Sequence, residues 1–158
     1  MFRTFYAVIG LLSCVLLAGC AATSGIGLSD LSTPPSDERP SDEPLLAGKR
    51  HYANADYGLA EKNFRAAVEA NSSSIDSWVG LAASYDRLRR FDLADKAYVQ
   101  VVKLAGRTPA VLNNLGYHYL LMGDKVRARE NFRLAAELDP TNTRIRGNLR
   151  LLESWSAN

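Results

Sequence analysis

The chain has 158 residues, 47% of them apolar, enough for one modest domain with a real core and too few for a large two-domain enzyme. Its formal net charge of +2 hides a split, with five acids against Arg39 across residues 21–47 and seventeen bases against twelve acids from residue 48 onward. The basic surplus is mild, mixed with acids and free of aromatic-rich basic motifs, which argues against nucleic acid as a partner.

The first segment reads as an export signal. Arg3 supplies the positive start, the apolar run from Phe5 to Leu17 follows, and small residues close it. That run is short of the ~20 residues a spanning helix needs. Its exit, Leu17-Ala18-Gly19-Cys20, resembles the bacterial lipobox, in which a small-residue cleavage site precedes a cysteine that becomes the acylated first residue of the mature chain. The resemblance implies a signal peptide over residues 1–19 and lipid on Cys20. Cys14 would leave with the signal, so the mature chain would hold neither a free thiol nor a disulfide, and its stability would rest on packing. Ala21 and Ala22 follow the cysteine, with no acidic residue to signal retention at the inner membrane. The expected location is therefore the outer membrane, facing the periplasm.

Residues 20–44 form the expected lipidated start and disordered tether. They carry four of the six prolines, Pro34, Pro35, Pro40 and Pro44, among Ser and Asp, and cannot bury enough apolar surface to offset the entropy of ordering. As a coil of ~25 residues such a tether spans ~25–30 Å.

Beyond it the chain repeats itself. Trp78, Leu81, Ala82, Tyr85, Ala94, Tyr98 and Val101 recur 34 residues later as Leu112, Leu115, Gly116, Tyr119, Ala128, Phe132 and Ala135. One period earlier Gly48, Ala60, Phe64 and Ala67 occupy equivalent places, with His51 where an aromatic is expected and Pro44 in place of Trp78. Each period holds two apolar blocks at helical spacing, separated by a turn such as "RRFD" or "MGDK", where Gly123 supplies the left-handed geometry that closes a helix. Small residues let the paired helices approach, and large rings fill the gap to the next pair. Gly106 and Asp139-Pro140 end second helices, and Pro109 starts a first helix, where a missing N–H costs nothing.

This spacing and residue set resemble the tetratricopeptide repeat (TPR) family over residues 41–142. The implied fold is all-α: a right-handed solenoid of three helix pairs (about 41–74, 75–108 and 109–142) plus a cap at 143–155, together a domain over 45–155. The cap begins the pattern again with Ile145, Leu149 and Leu152, while Arg144, Arg146 and Arg150 would solvate its outer side.

The family resemblance also implies that first helices line a concave face, with positions 2, 5, 6, 9, 12 and 13 of each repeat pointing into it. On that basis the candidate partner-binding residues are Asn113, Asn114, Tyr117, Leu120, Leu121, Arg144 and Asn148. Asparagine is a mediocre helix former, so two in succession call for another reason, and an amide offers a donor and an acceptor side by side to a peptide backbone. Asn148 follows Asn114 by one period, giving a two-rung amide ladder; Val79 and Gly80 interrupt it in the second repeat, whose groove surface of Asp76, Ala83, Asp86 and Arg87 reads as small and charged. The competing reading has these amides solvated or completing a helix start, and Leu120 and Leu121 packed on the tether or a second copy.

Catalytic motifs are lacking. His51 and His118 fall in different repeats without ligand-spaced partners, which argues against a metal, His118 being expected at a helix surface; no cofactor motif is present. The basic run Lys125, Arg127, Arg129 and Arg133 reads as a solvated face. The combination of lipobox and repeats is similar to the TPR lipoproteins of tight-adherence (Tad/Flp) pilus systems and, more distantly, to pilotins. It implies a protein or peptide partner, with secretin or pilus-assembly components as candidates, and membrane contact through the lipid; the alternative is a scaffold or regulator for a cell-wall enzyme.

Overall fold

A computed structural model of the chain describes residues 42–156. The expected signal peptide, Cys20 and nearly all of the tether lie outside these residues. Seven helices follow in order: α1 (Glu43–Ala53), α2 (Tyr57–Ala70), α3 (Ile75–Arg87), α4 (Phe91–Ala105), α5 (Pro109–Met122), α6 (Lys125–Leu138) and α7 (Thr143–Ser156). Glu43 and Pro44, expected at the end of the tether, instead form the first turn of α1, where the proline ring fits and the acid meets the helix dipole.

The period of the sequence is visible in the helix ends. Ser74, Thr108 and Asn142 each offer a side-chain oxygen to a backbone N–H three residues on, those of Ser77, Val111 and Ile145, so one N-cap recurs every 34 residues. The turns inside the pairs repeat as well. The backbone N–H groups of Asp56, Arg90 and Asp124 donate at 2.9 Å to the carbonyls of His51, Tyr85 and Tyr119. The residue just before each donor, Ala55, Arg89 or Gly123, sits in the left-handed region at φ 63°, 58° and 84°. This is the Schellman closure, and only the third repeat has given it the residue without a Cβ.

Within each pair the second helix lays a ring against the first. Phe132 is fully buried against Gly116, where an added Cβ would fall 2.5 Å from the ring. Tyr98 and Ala82 hold the same places in the second pair, and Phe64 and Gly48 in the first, where an added Cβ would come within 2.8 Å. Apolar burial then runs along the stack: Phe64, Leu81, Tyr98, Val101 and Leu115 belong to one cluster, and Leu120, Phe132 and Leu152 tie α7 to the third pair.

Contacts between pairs are asymmetric. The first helices pack in sequence, α1 to α3, α3 to α5 and α5 to α7, and each second helix packs on the first helix that follows it; the backbones of second helices do not approach one another. Helices closer together on one side than on the other make a curved layer, with α1, α3, α5 and α7 on its inner surface.

The turn geometry yields a prediction. Ala55→Gly removes the left-handed penalty at an exposed position and should stabilise the domain by roughly 0.5–1 kcal/mol, while Gly123→Ala should cost about 1 kcal/mol. Urea unfolding followed by circular dichroism measures both, and a lower midpoint for Ala55→Gly would contradict the account.

Candidate functional site: a groove along the first helices

Three cavities follow one another along the inner surface. The first, about 330 Å³, lies between α1 and α3, with Tyr52, Val79 and Ala83 on its walls and Phe64 beneath. The second, about 230 Å³, shares Tyr52, Val79 and Ala83 and continues to Asn113, Asn114 and Tyr117. The third, about 360 Å³, shares Asn113, Asn114 and Arg144 and ends at Asn142 and Ile145. Shared walls make the three one groove, apolar at its start and lined by amides and arginine at its end.

The apolar start has a local cause. Gly48 and Gly80 stand on either side of the Phe64 ring, and a Cβ on Gly80 would fall 2.3 Å from it. Phe64 thus does double duty, packing its own pair and reaching under the neighbouring first helix. Gly80 occupies the repeat position held by Asn114 and Asn148, so the break in the amide ladder is the space this ring requires. Lys49 and Asp76 pair at 2.8 Å across the rim of the cavity, each about half exposed or more. In that setting the pair contributes under about 1 kcal/mol. Further along, the Arg87 guanidinium lies 4.5 Å from the centre of the Tyr57 ring.

The sequence-derived candidates divide. Asn114, Tyr117, Arg144 and Asn148 do line the groove. Asn113 lines it too but is only 6% exposed, and its carbonyl oxygen accepts a 2.8 Å hydrogen bond from the Asn148 amide. The amide ladder therefore exists in a shifted register: its rung joins positions 113 and 148, not 114 and 148, and half of it is spent inside the protein. Leu120 is not a groove residue. It is 2% exposed and packs with Ala128, Phe132 and Leu152, because α7 crosses α5 at that point and takes the place solvent was expected to have. Leu121 is half-buried and is not among the residues lining these cavities.

Two further expectations are corrected together. His118, expected at a helix surface, has no exposed area, and Asp86, expected as a groove charge, is 3% exposed. They meet: His118 Nδ1 lies 2.6 Å from an Asp86 carboxylate oxygen, and Nε2 lies 3.1 Å from Asp95. The Tyr98 hydroxyl donates to the other Asp86 oxygen at 3.1 Å. The rings of Tyr98 and Tyr119 flank the imidazole at 5.2 and 5.1 Å, and Phe91 stands 6.2 Å away. With a carboxylate at each nitrogen, the imidazolium can donate twice. Burial works against that charge, but hydrogen bonds and charge from Asp86 and then Asp95 outweigh it and raise the His118 pKa above its ordinary value. Tyr98 is pushed well above the usual phenol range, by burial first and by Asp86 second, and remains a donor. The missed signal was helical spacing: His118 follows Val111 by seven residues and Leu115 by three, on the buried stripe of α5.

No group of His, Cys, Asp or Glu side chains among the described residues is arranged to hold a metal ion. The groove offers apolar walls, amides, cations and the paired carboxylates of Asp76 and Asp86, a lining that suits binding.

Comparison with known proteins agrees with this architecture. Residues 75–108 and 109–142 each match a model of the tetratricopeptide repeat. These two periods are tetratricopeptide repeats, and the protein has the all-α TPR fold. No curated protein matches the sequence. Among solved structures, the first TPR domain of Spaghetti (RPAP3) bound to the HSP90 peptide SRMEEVD is similar at 18% identity and a TM-score of 0.63, covering 75% of this chain and 94% of that one. The Yersinia enterocolitica type III secretion chaperone SycD, in complex with a peptide of the translocator YopD, is similar at 20% identity and a TM-score of 0.60, covering 73% and 93%. Pseudomonas aeruginosa PilF is similar at 24% identity and a TM-score of 0.63 over 74% of this chain and 54% of its own.

The buried histidine predicts a pH dependence. A folded pKa raised above the unfolded value of about 6.5 gives stability that is fully present below that value and is lost as pH rises through the folded pKa. The denaturation midpoint should therefore fall from slightly acid toward mildly alkaline pH, and His118→Gln should flatten that fall. Melting profiles across this range test it; an equal fall in the variant would remove His118 as the cause.

Proposed function

We propose that this protein is a non-enzymatic, protein-binding adaptor that holds a segment of a partner protein along the inner surface of α1, α3, α5 and α7. The observation that carries this reading is the continuous groove, in which the half-buried Asn114, Tyr117 and Asn148 stand beside one another between an apolar end and an arginine end. Its chemistry is that of peptide capture: amides for a backbone, an apolar floor for side chains. The similar domains from RPAP3 and SycD, each solved with a peptide, support the same use of the fold.

The finer reading places the adaptor at the cell envelope. Cys20 carries lipid, the tether lifts the repeats from the outer membrane into the periplasm, and the partner is a component of a pilus or secretion assembly. The support is the lipobox-like Leu17-Ala18-Gly19-Cys20 joined to a TPR array, with similarity of fold to PilF.

Placing a photo-crosslinking amino acid at Tyr117 and irradiating cells should trap one dominant protein. The same probe at Val99, exposed on α4, should trap little of it, and Asn114→Ala should reduce the trapped amount about tenfold, as for loss of ~1.4 kcal/mol of binding. Equal trapping at both positions would refute groove binding. Radiolabelled palmitate should mark the native chain but not Cys20→Ser, and label on the variant would remove the lipid anchor from the proposal.

A further inference from the structure

The two ends of the groove differ enough to define what a bound segment must carry. The start is a pocket of about 330 Å³ with apolar walls and an aromatic floor, with room for a bulky apolar side chain. The end is bordered by Asn114, Asn142 and Arg144. The charges along the groove are not balanced. Lys49 is answered by Asp76 at 2.8 Å, and Asp86 is answered by His118 at 2.6 Å. Arg87 and Arg144 have no carboxylate partner among the described residues, Arg87 lying instead over the Tyr57 ring. The charged side chains lining the groove are Lys49, Arg87 and Arg144 against Asp76 and Asp86, one cation more than anions. With Arg144, unpaired among the described residues, at its end, a bound segment that supplies acid complements it.

Spacing follows from the helices. The apolar pocket lies between α1 and α3 and the arginine end between α5 and α7, two helix intervals apart. At about 9 Å per interval this is about 18 Å, or about five or six residues of extended chain.

We infer that the partner segment is extended and bears one large apolar side chain, seated over Phe64, and a carboxylate about five or six residues away, at Arg144. The inference rests on the adaptor reading above and deepens it. The carboxylate can come from an acidic side chain or a chain terminus, and the shared chemistry is an anion within reach of a guanidinium and amides.

The test uses the full chain and short fluorescent Ser/Ala peptides, acetylated and amidated, carrying one Phe and one Asp at varied separations. A second series replaces the Asp with the peptide's own free C-terminal carboxylate. Fluorescence anisotropy should show affinity peaking at a separation of about five or six, and the series with the higher peak identifies the source of the carboxylate. Arg144→Glu, at an exposed position, should lower the affinity of the Asp peptide about tenfold and raise that of the matching Lys peptide. Ala53→Glu, at the exposed mouth of the pocket, should abolish the preference for Phe over Ala.

Affinity independent of separation, or unchanged by both substitutions, would overturn the inference. So would tighter peptide binding after Ile26, Leu28 and Leu31 are changed to Ser, which would make the chain's own N-terminal segment the occupant, or affinity that falls as the chain dimerises in sedimentation, which would make it a second copy. Trapping at Tyr117 with a flat peptide series would leave the adaptor reading standing and remove this one. A peaked series without trapping in cells would do the reverse.

Discussion

Every level of this structure depends on how closely an aromatic ring on a second helix can approach the backbone of a first helix. Gly116 beneath Phe132 and Gly48 beside Phe64 leave room that even a methyl group would occupy. Ala82 is the largest residue the second pair places there, and it is fully buried beside Tyr98. Close approach lets each pair bury its rings without a disulfide, and leaves the outer flank of each pair apolar, so that it must meet the next pair. The stack, its curvature and its groove are consequences of that unsatisfied flank.

Phe64 shows how packing becomes recognition. Its ring supports the first pair, and because Gly80 on α3 also lacks a Cβ, the same ring lies under the neighbouring helix and floors an open pocket. A single side chain thereby serves stability and site together. At the opposite junction the protein uses polar chemistry. The Asp86–His118–Asp95 arrangement buries a charge that would be costly alone and satisfies it on both sides, with Tyr98 as a further donor. Such a network tolerates one arrangement of α3, α4 and α5 and penalises others.

Much of this was legible in the residues alone. The 34-residue period, the helix pairs, the left-handed turn at Gly123 and the proline at the start of α5 are local signals, read within one helix or one turn. Asn114, Tyr117, Asn148 and Arg144 line the groove where the family resemblance, rather than any local signal, implied an inner surface. What failed required knowledge of how one helix crosses the next. The amide rung joins Asn113 to Asn148 because neighbouring first helices meet one residue out of register with the period, and a period carries no information about tilt. Leu120 looks like a groove residue until α7 is laid across it. His118 finds its partners 32 and 23 residues away at positions the repeat signature does not fix, and equivalent places in the other repeats hold Ser84 and Arg50.

The separation of second-helix backbones carries a mechanical meaning. Because each second helix meets, beyond its own pair, only the first helix that follows it, the stack can open or tighten by small rotations at each joint without repacking one second helix on another. The joints are not built alike. Between α3 and α5 the clamp on the imidazole fixes the angle, whereas the first two pairs are held by the broad packing of α2 on α3, by Glu61 with Arg90, and by the exposed Lys49 and Asp76. The two joints thus resist rotation by different means, one chiefly by a buried polar cluster and the other chiefly by packed area.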